Sequence, residues 1–225
     1  MRGTGAVAIW HNIASEGREA FYNWHGHEHM LERVSIPGFK RGRRYVAIDA
    51  PLAFFNVYEA QSLETLKGPG YQDRLNDPTP WTVETVKHFR DVHRALATVK
   101  HTAGIGGGGL IATWHYDDTS GSVDEAALWN DVLAPLQSTD GVAGVHFLIA
   151  DPAASSVETK ERQARGGRAN VVPTRAILLE GWGDTDRFRT LCDSHISQEH
   201  LERCGISSPV QFGLYRLQLT VDSPS

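Results

Sequence analysis

The chain has 225 residues, 40% of them apolar and 22% charged, and a net charge of −5 with histidine neutral. Two cysteines, Cys192 and Cys204, are too few for a disulfide framework and read as plain thiols in one helical region. The acidic balance argues against a nucleic-acid partner, and no apolar run approaches the roughly 20 residues of a membrane span.

The N-terminal stretch lacks the long apolar segment of a secretory signal, so the expected compartment is the cytoplasm. Residues 6–12 alternate as a strand. Ser15 offers a helix N-cap, and the helix runs through Phe21, Trp24, Glu28 and Leu31 at helical spacing until Pro37-Gly38. Residues 39–48 and 53–60 read as a hairpin around Asp49-Ala50-Pro51. A broken helical region follows over 62–75, then a turn at Asp77-Pro78-Thr79-Pro80, a short helix over 81–87 and a strand over 88–100. The basic cluster Lys40, Arg41, Arg43 and Arg44 reads as a solvated strand face or as partners for carboxylates. The second half gives strands at 109–116, 144–150, 176–182 and 211–221, with helices over 123–136 and 184–204. Its hairpin connection, 151–175, is long and polar and is expected to be a mobile loop.

The order β-α-β-β-α-β therefore occurs twice. Ala8-Ile9-Trp10-His11 matches Ala112-Thr113-Trp114-His115, and Arg94-Ala95-Leu96-Ala97-Thr98-Val99 matches Arg216-Leu217-Gln218-Leu219-Thr220-Val221. Such matches in chain order suggest a tandem repeat. The expected division is an N-terminal unit over 1–100, a Gly-rich linker over 101–109 and a C-terminal unit over 110–225. The four glycines at 106–109 precede a strand rather than a helix, so they are not a phosphate loop. The fold class is α+β. Two ferredoxin-like units each carry helices on one face of an antiparallel sheet. Each sheet needs its other face buried, and the sister sheet is the simplest partner. The two then pack face to face as an intramolecular α+β barrel, with side chains and a cavity expected between them.

Over about residues 5–100 the chain resembles the dimeric α+β barrel superfamily, in particular its EthD-like and stress-responsive A/B barrel members. The residues that carry the resemblance are Phe21-Tyr22, Trp24, His29, Leu31-Glu32, Ile36-Pro37-Gly38-Phe39, Arg41-Gly42-Arg43-Arg44-Tyr45, Val57-Tyr58-Glu59 and the turn at 77–81. The second half keeps the fold pattern without the His-containing helix, since Trp129 is followed by Asn130-Asp131-Val132-Leu133-Ala134. The resemblance implies cofactor-free monooxygenases, lactone isomerases, small lyases or haem proteins, and the fold alone does not choose among them.

The densest chemical feature is Trp24-His25-Gly26-His27-Glu28-His29. His25 and His29 share a helix face and His27 points away. The resemblance singles out His29, and histidine can exchange a proton near neutral pH. The competing reading is a histidine that packs the helix on the sheet. His25 and His29 could also be a metal pair with Glu28 or Glu32, but Gly26 breaks the zincin pattern, so no metal is expected. His11 and Tyr58 complete the catalytic candidates. Trp10, Trp24, His25, Arg43 and Tyr45 are the candidate substrate-binding residues, with Arg43, Tyr45 and Tyr58 suited to an oxyanion. Cross-strand pairing is the bland alternative for those strand residues.

The expected function is a cofactor-independent isomerase, lyase or monooxygenase acting on an apolar or aromatic-derived carbonyl or lactone compound. Two alternatives stand beside it: a non-enzymatic ligand-binding or stress-accessory protein, and a haem or metal protein. The expected partner is a small-molecule ligand, and the chain is a monomer or homodimer.

Overall fold

The computed structural model describes residues 1–118, 121–207 and 209–224. Eight strands are present: β1 (Gly5–Ile13), β2 (Phe39–Asp49), β3 (Phe54–Ala60), β4 (Phe89–Gly104), β5 (Leu110–Tyr116), β6 (Val142–Ala150), β7 (Arg175–Gly181) and β8 (Gln211–Asp222). They close into one antiparallel barrel in the order β1-β3-β2-β8-β5-β7-β6-β4. Each half contributes four neighbouring strands in the same spatial order. The halves are joined by two hydrogen-bonded seams, β2 on β8 and β4 on β6. Closure leaves no free sheet edge.

Period-two alternation decides what fills the barrel. Ala6, Ala8, Trp10, Tyr45, Phe55, Val57, Ile111, Leu178 and Tyr215 point inward and form one apolar cluster made of strand residues. An eight-stranded barrel is just wide enough for side chains to fill it, and burying a residue such as Phe55 or Val57 contributes about 1.5–3 kcal/mol. The inter-sheet space is thus packed rather than hollow. The outward faces carry the helices. Val7, Met30, Tyr58, Leu66 and Tyr71 pack on one side of the first half, and Phe21, Trp24, Phe54, Val86 and Phe89 beside them. Leu110, Trp114, Leu128, Leu136 and Phe188 do the same in the second half.

The two Trp-His strands are out of phase. Trp10 points into the barrel and Trp114 out to the helices, so His11 faces out and His115 faces in. Trp10 and His115 meet inside the barrel with rings 4.3 Å apart, and Trp10 Nε1 donates to Thr113 Oγ1 at 3.0 Å. The sequence match of 8–11 to 112–115 is therefore one residue off the match in orientation.

Several local expectations change. β4 runs on to Gly104 and pairs His101 through Gly104 with β6, so four of the nine expected linker residues are strand. Ser15 does not cap the first helix. The chain enters through a 3-10 turn, Ser15–Gly17, while the Ser15 hydroxyl donates to the Glu16 carboxylate. Gly17 is buried there, and a Cβ on it would lie 2.2 Å from the His88 ring. The 184–204 helix breaks into Thr185–His195 and Gln198–Arg203. The 151–175 connection is not a bare loop. It forms two short helices, Pro152–Ser155 and Lys160–Ala164, each started by an N-cap, Asp151 and Thr159. Its return leg bonds to β4 through Arg94 N to Val171 O at 2.9 Å and Val171 N to Val92 O at 3.0 Å.

Candidate functional site

The first helical segment is not a uniform α-helix. Arg18–Trp24 is α-helical, His25–His29 is a π-helical turn, and Met30–Val34 is α-helical again. The Met30 N–H reaches back five residues to the His25 carbonyl. Such turns are rare and concentrate at functional sites. Here the turn puts both His25 and His29 on the inner face, with ring centroids 5.6 Å apart and both side chains buried.

Neighbouring elements hold the turn in place. Trp24 Nε1 donates to Thr82 Oγ1 at 3.0 Å, and Thr79 Oγ1 donates to Glu28 Oε1 at 2.6 Å. Thr79 is also the N-cap of the Pro80–Val86 helix, accepting from Thr82 N. The Asp77-Pro78-Thr79-Pro80 turn thus clamps the histidine turn from outside. Trp24 in turn packs on His29 with centroids 4.2 Å apart.

Beneath the turn lies the outward face of β1 and β3. Tyr58 OH is 3.1 Å from His25 Nε2, while His25 Nδ1 lies 3.5 Å from Arg44 Nη1. Arginine can only donate, so His25 Nδ1 is the acceptor and Nε2–H donates to the Tyr58 oxygen. The Tyr58 hydroxyl hydrogen is then free to point into the pocket. Burial pushes the Tyr58 hydroxyl well up from its ordinary range, so it stays a protonated donor. Gly42, its cross-strand partner, makes the room: a Cβ there would lie 2.9 Å from the Tyr58 ring.

His29 differs from every other buried histidine of the first half. Its Nδ1 is buried without a partner, and no side-chain hydrogen bond to either ring nitrogen occurs among the described residues. Burial first, then the charges of Arg33 and His25, hold it well below the usual histidine range, hence neutral. His25 is lowered likewise by burial and then by Arg44.

His29, His25, Trp24, Tyr58 and Asn56 line a small cavity of about 50 Å³. Its far wall comes from the second half: Val157, Thr159, Glu161, Arg162, Arg165 and Asn170 of the β6–β7 connection. That strap is anchored by the ion pair of Glu161 with the buried Arg33. Its contribution was not visible in sequence, because Glu161 lies 128 residues along the chain from Arg33.

The structure brings Trp24, His25, His29 and Tyr58 together and separates the other candidates from them. His11 lies under the pocket floor. Its Nε2 is 2.8 Å from Asn56 Nδ2, its Nδ1 faces Asn12 O at 3.3 Å, and its ring stacks on Phe89 and Phe54. It occupies a β-bulge between Trp10 and Asn12. It supports Asn56 rather than lining the cavity. Trp10, Arg43 and Tyr45 lie on the barrel's inner face, the opposite side of the wall, and do not line the cavity. Arg43 is tied there to Glu180 by bonds of 2.5 and 2.9 Å and to Glu59 at 2.9 Å. Strand parity is the reason. With Gly42 and Arg44 facing the helices, Arg43 and Tyr45 must face in, and Arg44 is the arginine that meets His25.

No family model matches the chain, and no curated protein matches it. Solved structures do. An anthrone oxidase-like protein superposes with a TM-score of 0.65 at 12% identity, over 100% of this chain and 95% of that one. A protein from Fusobacterium nucleatum provisionally named a monooxygenase gives 0.57 at 9% identity, over 100% of both chains. Another of that provisional name, from Lactobacillus acidophilus, gives 0.55 at 8% identity, over 98% and 97%. The chain shares the closed α+β barrel fold of these structures. At these identities the likeness is one of fold, and a fold does not choose a function. No helix among the described residues is long and apolar enough to cross a membrane.

Proposed function

We propose that this protein is a cofactor-independent small-molecule enzyme of the isomerase, lyase or monooxygenase type. Its substrate is an aromatic-derived carbonyl or lactone compound bound between the first-half helices and the barrel wall. One observation carries the reading. His29 is a buried, neutral imidazole with no hydrogen-bond partner among the described residues, facing a cavity, with the Tyr58 ring 6.3 Å away. A buried polar atom left unpaired costs about 1–3 kcal/mol, and functional sites are where such costs are tolerated. His29 takes a proton from a carbon next to the carbonyl. Tyr58, oriented by His25, donates its hydrogen bond to the oxyanion that develops. Trp24 and Phe89 supply the aromatic walls. The working side is the 1–100 unit, and the 110–225 unit completes the pocket.

Anthrone, a planar ketone with an acidic methylene, is a suitable probe because a structural neighbour is named anthrone oxidase-like. Proton NMR in deuterated buffer follows exchange of that methylene. The protein should accelerate exchange, His29→Ala should slow it by about 100-fold or more, and Tyr58→Phe by about 10- to 100-fold. Unchanged exchange in His29→Ala overturns the assignment. Binding of anthrone with no acceleration by the unmutated protein supports a carrier instead.

A further inference from the structure

We propose that the ligand of this pocket carries a carboxylate, gripped between Arg94 on β4 and Arg165 on the β6–β7 strap. The proposal deepens the functional reading above and rests on it only for where the ligand sits, not for the role of His29.

The charges of the cavity wall do not balance. Four guanidiniums line it, those of Arg33, Arg94, Arg162 and Arg165, against the single carboxylate of Glu161. Glu161 is committed to Arg33. Arg162 has its own partner in Glu158 at 3.1 Å. Arg94 and Arg165 form no salt bridge among the described residues. Arg94 bonds only neutral groups, the Tyr71 hydroxyl at 3.0 Å and the Ser155 carbonyl at 3.5 Å. Arg165 has no side-chain hydrogen bond among the described residues, and its Nε is buried without a partner. Its guanidinium is pushed down to about 10, by burial and by the charges of Arg94 and Arg162 against the pull of Glu161. Half-buried cations that outnumber the carboxylates around them are costly, and the natural remedy is an anion supplied from outside. Planar forks suit a carboxylate, which they hold by paired charge-assisted bonds.

The remaining wall fixes the rest of the ligand. Trp24, Tyr58, Tyr71 and Phe89 offer flat apolar surfaces, so the acid group belongs to a planar aromatic body. A space of about 50 Å³ holds a water or two, against the roughly 300 Å³ or more of ordinary ligand sites. Entry therefore requires the strap to lift. The strap is suited to that. Between Ser155 and Val171 the buried side chain is that of Thr159 and Val157 is half exposed, so what lifting must break is chiefly polar: the Glu161–Arg33 ion pair and the bonds of Lys160 N to Asn76 and of Arg168 to the Phe89 carbonyl. Arg165 rides on this strap, so a carboxylate bridging it to Arg94 closes the site behind itself.

The test is binding of 2-naphthoate compared with its neutral isostere 2-naphthamide, by calorimetry at low and at 0.5 M salt. The full chain should bind naphthoate at least 10-fold tighter than the amide, with the preference shrinking in salt. Arg165→Gln and Arg94→Gln should each weaken naphthoate by roughly 10-fold or more, as loss of a bond to a charged group implies, and leave the amide within about 2-fold. Thermal melting of each variant shows whether it is folded. Chemical-shift changes at His29 and Trp24 place the probe. Equal binding of acid and amide overturns the proposal, as does no binding of either, or a naphthoate affinity that both variants retain. Anthrone, which has no carboxylate, reports the proton-transfer role of His29 in its own assay, so a failed proton-transfer role and a failed carboxylate clamp give different results.

Discussion

His11 turns burial into a measurable pH dependence. It is fully buried, stacked on Phe54 and Phe89, and its pKa is pushed down from 6.5 to about 3, by burial above all. The unfolded chain therefore takes up this proton first as pH falls. Stability is complete well above pH 6.5, is lost as pH drops below it, and the loss stops growing near pH 3. Between pH 7.5 and pH 5 the difference amounts to about 2 kcal/mol for this residue alone. Most carboxylates do not titrate in that window, so histidines dominate it. The assay is urea denaturation at both pH values for the unmutated chain and for His11→Gln, which keeps a polar group near Asn56. The variant's absolute stability is not the readout. Its loss between pH 7.5 and 5 should be smaller by about 2 kcal/mol, or roughly 4–8 °C in melting temperature for a chain of this length. Equal pH dependence in both proteins refutes the reasoning, because it means that His11 accepts a proton in place or never mattered to the acid limb.

Two further outcomes follow from single contacts. Glu180 sits inside the barrel end with Arg43, His146 Nε2 at 3.0 Å and Gly108 N at 3.1 Å around it. Burial alone would raise its carboxyl, but His146 and Arg43 overrule that and hold it well below the usual range. Glu180→Gln leaves Arg43 short of a charge and should cost about 3 kcal/mol in urea denaturation at pH 7.5; a cost under about 1 kcal/mol contradicts the network. Thr79→Ala removes both an N-cap and the bond to Glu28. It should cost about 1–2 kcal/mol and slow the exchange reaction along with stability, since it frees the histidine turn; a stable variant of normal activity shows that the clamp is idle.

The sequence carried the element order well. Strands appear from alternation and turn residues, and the positions of β1, β3, β5 and β8 shift by no more than about two residues, within the usual uncertainty of element ends. The histidine turn was legible as a concentration of imidazoles. Its π geometry was not, because nothing local distinguishes a five-residue turn from a four-residue one. Asn56 and Arg33 gave no special signal, being single polar residues in ordinary elements, and Arg44 stood out only as one of a basic cluster. The strap looked like a loop because its two helices are of four and five residues and stand on caps rather than on an apolar face.

The local pattern by itself determined that this chain makes two rounds of β-α-β-β-α-β, since period-two and period-3.6 hydrophobicity are properties of neighbouring residues. It also determined that His25, His27 and His29 concentrate on the first helix. Only the tertiary structure decided which strand face meets that helix, and so set Arg44, not Arg43 and Tyr45, beside His25 and the expected Tyr58. A one-residue change of phase turns every side chain to the other side of the wall. Only the tertiary structure, too, carried Glu161 and Arg165 from the second half onto the first. That depends on the closure of the barrel, which no stretch of sequence records.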